Sequence, residues 1–186
     1  MKKFSQYIIE TTGLNLGEKK LSSLSKTYTA ADIMGDNIFK VAKHFVNPET
    51  SFFRNMEVSE LLKNLIDQKN SRVWFAGCST GQEVYSTYLM CKKNLDLKLI
   101  GTDLNIDAIY HAKKGKYFLY RSKEIEKINV FRKNIYMNIY PSENLNSTYV
   151  EFKKSLSKIV LFDIHNLVAG PYSFEFDIVI CRNVIL

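Results

Sequence analysis

One hydrophobic run near the middle of the chain does not alternate with polar residues. Residues 73–76 are all apolar, and a loop of small and polar residues, 77–81, follows them directly. Apolar residues then return at the spacing of one helix face, at Val84, Tyr85, Tyr88 and Leu89. The pattern predicts a strand that is covered on both faces of a sheet, then a loop and a helix. Free backbone N–H groups at such a helix start, beside small side chains, form a cradle for a ligand.

Three further apolar runs are predicted to be strands that end in polar residues. They cover residues 97–103, 158–163 and 176–181, and a helical pattern over residues 105–114 follows the first of them. Strands that alternate with helices favour an α/β fold with a parallel, doubly wound sheet. Ligands of such sheets bind beyond the carboxyl ends of the strands. We therefore expect the residues after each run to converge on one site.

The chain before residue 50 carries helical patterns and no strand pattern. Short helices are predicted over residues 4–12, 19–26 and 32–46. Asp32 is placed to cap the third of them. A fourth helix precedes the first strand and is marked by Val58, Leu61, Leu62 and Leu65. We expect a small helical N-terminal domain, residues 1–49, and an α/β domain, residues 50–186.

Composition narrows the class of protein. With 186 residues, of which 46% are hydrophobic, the chain can bury one core and a small appended domain. No stretch approaches the ~20 apolar residues of a membrane span, and the first residues lack the apolar segment of a signal peptide. The three cysteines and three histidines are isolated from one another, so we expect no metal site. These features predict a cytoplasmic protein without membrane insertion.

The net charge of +7 comes largely from one basic segment, residues 113–133. A solvated helical face explains such a segment, and a docking surface for an acidic partner is the alternative. No DNA- or RNA-binding signature accompanies it, so we expect no nucleic acid partner.

Asp103 ends the second predicted strand, 22 residues after Gly81. This distance is close to the ~20 residues at which a second-strand acid reaches a ribose, because a carboxylate can accept from both vicinal hydroxyls. The alternative is that Asp103 only caps the next helix. Gly77 and Gly81 fall short of a full dinucleotide fingerprint, which favours an adenosine ligand without phosphates over a dinucleotide.

Five motifs, taken in order, resemble one known family. They are TSFFR at residues 50–54, CSTGQEVYS at 78–86, GTDLN at 101–105, NL at 166–167 and FDIVICRNV at 176–184. Over about residues 45–186 the chain resembles the CheR family, the chemotaxis receptor methyltransferases. The resemblance implies a Rossmann-like, S-adenosylmethionine-dependent methyltransferase fold behind a helical N-terminal domain. It also implies a β-hairpin insertion for docking, at about residues 134–155, where a turn is predicted at 144–147.

The resemblance implies a function and a set of site residues. Family members methylate glutamate side chains on the cytoplasmic domain of chemoreceptors. By resemblance, Glu83 binds the amino group of the cofactor, Asp103 holds the ribose, and Arg54 lies nearest the chemistry as the catalytic residue. Residues 166–167 contact the adenine side. The cofactor-binding set is Thr50, Arg54, Gly81, Glu83, Asp103, Asn166, Leu167, Arg182 and Asn183.

These residue types suit the implied reaction. Methyl transfer to a glutamate needs no strong base, because the carboxylate is already ionised near neutral pH. Catalysis is then mainly alignment, and an arginine can orient a carboxylate through its planar fork. Simpler roles also exist: Glu83 suits the first turn of any helix, and Arg54 suits an exposed linker.

Some positions depart from the family pattern. Gln82-Glu83-Val84 replaces Glu-Glu-Pro, and Pro48 stands where an asparagine is usual. The chain stops at Leu186, before the tyrosine and later strands of the family, so we expect a truncated member with an incomplete parallel sheet. The apolar edge of its last strand is expected to favour self-association. Truncation is also expected to weaken or abolish activity. Two alternatives therefore stay open: a non-catalytic module that binds cofactor or receptor, and a basic nucleic-acid methyltransferase.

Overall fold

The computed structural model describes residues 2–46, 50–67, 72–91, 96–120, 122–131, 134–141 and 147–184. The helices are α1 (Lys2–Thr12), α2 (Glu18–Thr27), α3 (Asn37–Val41), α4 (Met56–Asp67), α5 (Gln82–Met90), α6 (Ile106–Lys114) and α7 (Ser122–Asn129). The strands are β1 (Arg72–Ala76), β2 (Lys98–Asp103), β3 (Lys116–Leu119), β4 (Met137–Pro141), β5 (Thr148–Phe152), β6 (Val160–Ile164) and β7 (Ile178–Cys181). Short 3-10 turns cover Ala31–Ile33, Ala42–His44, Lys154–Lys158 and Leu167–Ala169.

The main sheet has four parallel strands in the order β6-β2-β1-β7. Ala76 at the end of β1 pairs with Thr102 on one side and with Cys181 on the other, so the carboxyl ends of the strands are level. Each crossover between parallel strands carries at least one helix or 3-10 turn in the described residues. This arrangement confirms the predicted α/β, Rossmann-like fold. Among the described residues, no helix has the length and apolar character needed to span a bilayer.

One face of the sheet is covered by helices, and the other is covered only in part. Val73, Phe75 and Leu99 point into the core that α4, α5 and α6 cover, and each is at most 1% exposed. On the opposite face, the ring of Trp74 is covered by aromatic side chains from residues 172–176. The outer strands leave two apolar side chains of this face 44% and 56% exposed, Leu161 and Val179. The predicted burial of the sheet on both faces is therefore incomplete within the described residues.

The N-terminal helices form a small core of their own. Its buried members are Ile8, Leu24, Ile33, Ile38 and Phe45. The single helix predicted over residues 32–46 is wrong, because the chain turns at Gly35 with φ +55° and α3 begins only at Asn37. Asp32 caps no helix there; its carboxylate accepts instead from the backbone N–H and the hydroxyl of Thr29.

Helix α4 is present where it was predicted, but only some of the apolar residues that marked it are buried. Leu62 and Ile66 are buried, together with Ser59, whose hydroxyl donates to the backbone oxygen of Asn55. Two of the leucines used to mark the helix, Leu61 and Leu65, are 59% and 45% exposed. Helical spacing located the helix but did not identify which of two adjacent apolar stripes is buried.

A second sheet has three antiparallel strands in the order β3-β5-β4. Tyr140 of β4 lies opposite Tyr149 of β5, which is the pairing that the predicted hairpin requires. Residues 144–146 of the predicted turn lie outside the described residues, as does the family departure at Pro48. The sequence did not identify β3 as a strand. The division of the chain into domains stays a prediction.

Candidate functional site

A cleft of about 500 Å³ lies beyond the carboxyl ends of the parallel strands. Its walls come from the ends of β1, β2, β6 and β7, from residues 50–55 and from the loop between α1 and α2. Eight of the nine predicted site residues line it: Thr50, Arg54, Glu83, Asp103, Asn166, Leu167, Arg182 and Asn183. The strand ends therefore converge as the alternation of strands and helices predicted.

Asp103 lies at the end of β2, with its carboxylate turned toward the loop after β1. One oxygen accepts from the backbone N–H of Ser79 at 2.7 Å, and the other accepts from that of Asn105 at 2.8 Å. Burial raises the pKa of Asp103, and these two backbone N–H groups oppose the rise. Asn105, and not Asp103, caps α6 through its side-chain oxygen. The carboxylate of Asp103 is therefore not used as a helix cap.

Glu83 lies in the first turn of α5 and faces Arg182 from the end of β7. The guanidinium of Arg182 donates to a carboxylate oxygen of Glu83, and both side chains are about a quarter exposed (25% and 26%). Burial raises the pKa of Glu83, while the charges of Arg182 and, to a smaller degree, Arg54 lower it. Glu83 and Arg182 thus form a half-buried pair in the cleft, and the exposed Arg54 lines the same cleft.

Asn166 connects the loop after β6 to the N-terminal helices. Its side-chain amide donates to the backbone oxygen of Thr11 at 2.6 Å, and its side-chain oxygen accepts from the N–H of Val168 at 3.1 Å. The backbone N–H of His165 donates to the backbone oxygen of Asp103 at 3.1 Å, and this bond joins the loop to the end of β2. His165 lies among the strand-end residues that were expected to converge, whereas residues 12–17 were not predicted as cleft walls, since no local motif marks them.

Ser79 carries the one buried side-chain oxygen or nitrogen that has no hydrogen-bond partner within the described part of the chain. Its backbone adopts φ +51°, a conformation that non-glycine residues seldom adopt, and this aims the N–H at Asp103. A buried hydroxyl without a partner is costly unless a ligand or water satisfies it. The loop after β1 therefore offers a polar group that a ligand can bind.

The comparison with known families agrees with this geometry. Residues 48–186 match the family described as "CheR methyltransferase, SAM binding domain". The chain belongs to the CheR methyltransferase family. The match confirms the family that the five motifs resembled and the cofactor that they implied, S-adenosylmethionine.

Three CheR relatives show how much of the family this chain spans. The chemotaxis protein methyltransferase of Borreliella burgdorferi is 30% identical over 159 residues, which are 80% of this chain and 52% of that protein. The Campylobacter jejuni protein of the same name is 32% identical over 149 residues, or 74% of this chain and 52% of that protein. The Escherichia coli protein of that name is 28% identical over 148 residues, covering 74% and 49%. The chain spans about half the length of the curated relatives it matches.

The cleft fits the cofactor of the CheR family. Its volume lies within the ~300–1,000 Å³ of small-molecule sites. Asp103 offers carboxylate oxygens to hydroxyl groups, Glu83 offers a negative charge to an ammonium group, and Ser79 offers an unpartnered hydroxyl. The roles of individual residues toward the cofactor stay predictions.

Gly81 is the predicted CheR site residue that does not line the cleft. It precedes α5 with φ +86°, and a Cβ atom there would lie 2.9 Å from the side chains of Ala112 and Phe162. Its missing side chain lets the start of α5 lie against α6 and β6. Gly81 therefore supports the conformation of the loop through its packing against α6 and β6, on the side of the loop away from the cleft.

The basic segment, residues 113–133, serves more than one purpose. Lys116 forms an ion pair with Glu151 at 3.0 Å, and Lys127 donates to the backbone oxygen of Phe53. Lys113, Lys114 and Lys123 are exposed. Lys116 and Lys127 thus stabilise the fold. The exposed lysines are consistent both with a solvated helical face and with a docking surface for an acidic partner.

Proposed function

We propose that this chain is the cofactor-binding part of a protein-glutamate O-methyltransferase that acts on chemotaxis receptors. The observation that supports this is the arrangement of Asp103, Glu83, Arg182 and Arg54 around one cleft at the strand ends. Membership of the CheR family supplies the reaction class and the receptor substrate. The partner is accordingly the cytoplasmic domain of a chemoreceptor, and the place of action is the cytoplasm.

Each cleft residue has a physical role in this proposal. Asp103 accepts hydrogen bonds from the ribose, since a carboxylate oxygen that accepts one backbone N–H keeps a second lone pair. Glu83 accepts from the amino group in the methionine part of the cofactor. Arg182 pairs with the carboxylate in that same part of the cofactor. Residues 166–167 contact the adenine side. Thr50 and Asn183 complete the walls of the cleft.

S-adenosylmethionine supplies a methyl group bound to a positively charged sulfur. A glutamate oxygen of the receptor bonds to the methyl carbon as the carbon–sulfur bond breaks, which leaves a neutral thioether and a methyl ester. No proton moves in this step, so the site needs alignment and exclusion of water more than a base. Arg54 contributes to binding the carboxylate of the cofactor and orients the incoming carboxylate of the receptor through its planar fork. Its charge also acts on Glu83, so it lies in the same part of the cleft.

The methyl transfer itself is the first test. Purified protein, S-adenosylmethionine with a labelled methyl group and chemoreceptor membranes are expected to give base-labile label in the receptor. Arg54→Ala is expected to lower the rate at least tenfold, because it removes the group that aligns the carboxylate. Arg72→Ala is the matched control, since Arg72 is an exposed arginine at the start of β1.

A second candidate function is a module that binds the cofactor or the receptor without turnover. It is favoured by the partly uncovered face of the sheet, where Leu161 and Val179 are exposed. Isothermal titration that shows cofactor binding, together with receptor membranes that acquire no label, would identify this function. Equal labelling by the parent protein and by Arg54→Ala would contradict the catalytic role of Arg54.

We also propose that the β7 edge mediates self-association. Within the described residues β7 pairs with β1 on one side only, and its Val179 side chain is 56% exposed. Sedimentation velocity is expected to show a concentration-dependent dimer or larger species, and Val179→Lys is expected to shift it to monomer. Val130→Lys is the control, because Val130 is 77% exposed and lies outside the sheet. Identical sedimentation of the parent and Val179→Lys proteins would argue against this edge.

A further inference from the structure

The backbone that leads into Arg54 adopts an unfavourable conformation. Arg54 ends the linker turn, residues 50–54, and the residue before it, Phe53, has φ +52°. This left-handed conformation is costly for a bulky side chain and persists only where surrounding contacts enforce it. The backbone position of Arg54 beside the cleft therefore depends on the contacts that hold the linker turn.

Two charged side chains of α7 bind the backbone of the linker turn. The N–H of Phe52 donates to a carboxylate oxygen of Glu124 at 2.6 Å, and the ammonium of Lys127 donates to the oxygen of Phe53 at 3.1 Å. Glu124 and Lys127 are three residues apart in α7, so they lie on the same side of that helix. From the other side, the hydroxyl of Ser86 in α5 accepts from the N–H of Phe53 at 3.0 Å.

The phenylalanine rings fix the position of the linker turn but leave its backbone groups to be satisfied. Both rings are 2% exposed; that of Phe53 stacks on Phe131 at 5.4 Å and that of Phe52 meets Tyr117 edge-on at 5.0 Å. A buried N–H or carbonyl without a partner costs free energy, so the contacts from α7 select the backbone conformation that these groups adopt. Hydrogen bonds to charged groups are also among the stronger ones.

We propose that Glu124 and Lys127 are positioning residues that hold Arg54 in its productive direction. The inference rests on the proposed role of Arg54 in the cleft. Neither side chain lines the cleft itself, and both act through the backbone of residues 52 and 53. Two charged residues of the basic segment, Glu124 and Lys127, thereby have a specific role in holding the linker turn.

The test compares variants of α7 in the full chain. Glu124→Ala and Lys127→Met are each expected to weaken S-adenosylmethionine binding roughly tenfold in isothermal titration, the size of one charged hydrogen bond. Glu124→Gln and Lys127→Arg keep an acceptor and a donor, and are expected to restore affinity to within roughly twofold. Glu126→Ala and Lys123→Met are the matched controls, since both residues are exposed on the same helix.

Two further readouts separate positioning from general stability. Hydrogen exchange of a peptide covering residues 50–55 is expected to accelerate in Glu124→Ala and not in Glu126→Ala. In the Arg54→Ala background, Glu124→Ala is expected to add no further loss of affinity, because both changes remove the same interaction.

The outcomes distinguish this inference from the proposed function. A lower melting temperature of Glu124→Ala and Lys127→Met, with unchanged affinity and unchanged exchange at residues 50–55, would overturn the positioning role and leave the proposed function intact. If the parent protein does not bind S-adenosylmethionine, the proposed function fails. The exchange experiment still decides whether α7 holds the linker turn, because it needs no ligand.

Discussion

Asp103→Ala is expected to lower the affinity for S-adenosylmethionine by at least about a hundredfold. The carboxylate lies in the cleft with both oxygens fixed by backbone N–H groups at 2.7 and 2.8 Å, so it is oriented before a ligand arrives. A hydrogen bond to a charged group contributes about 1.5–3 kcal/mol, and two such bonds to a ribose are lost. Each 1.4 kcal/mol is about tenfold in affinity. Isothermal titration of the parent and variant proteins measures this loss.

Asp107→Ala is the matched control for this change. Asp107 lies four residues further on, in α6, where its side chain is 59% exposed and pairs with Lys43. It carries the same charge near the same helix but does not line the cleft. Loss of affinity in both variants to the same degree, or in neither, would remove the basis for assigning the ribose to Asp103.

Asp103→Asn separates the effect on binding from the effect on stability. Burial raises the pKa of Asp103 above its ordinary value of 3.8, so the folded chain holds this proton more tightly than the unfolded chain does. The contribution of Asp103 to stability therefore falls as the pH rises from 3.8 through the raised pKa. Asp103→Asn is expected to lose this part of the pH dependence in thermal unfolding while still losing affinity. The carboxylate is thus expected to favour binding at some cost in stability.

The strand ends of the site were predictable because their signal is local. Each strand is an apolar run that stops at a polar residue, and parallel pairing brings such ends to one edge. Asp103 and Arg182 could therefore be assigned to one cleft from the sequence. The exact ends of strands were less certain: β7 begins at Ile178, two residues later than predicted, because Phe176 stacks on Trp74 instead of joining the sheet.

The remaining walls of the cleft depend on contacts between distant parts of the chain. Asn166 bonds to Thr11 across 155 residues, and Glu124 bonds to Phe52 across 72. No spacing rule relates residues so far apart, so the loop between α1 and α2 and the contacts from α7 were missed. The sequence does show that two opposite charges, Glu124 and Lys127, lie three residues apart and therefore on one side of a helix. This spacing alone does not say what the two side chains contact.

Phe53→Ala is expected to lower the free energy of unfolding by about 3–5 kcal/mol, the usual cost of removing a buried phenylalanine ring. The ring is 2% exposed and stacks on Phe131 with an interplanar angle of 13°. Phe174→Ala is the control, because Phe174 is 58% exposed and such surface changes usually stay within ~0.5 kcal/mol. Phe53→Gly removes the same ring but also relieves the strain of φ +52°, so denaturant unfolding is expected to find it no less stable than Phe53→Ala. A glycine variant clearly less stable than the alanine variant would mean that the left-handed conformation carries no strain, and the linker turn would then need no support from α7.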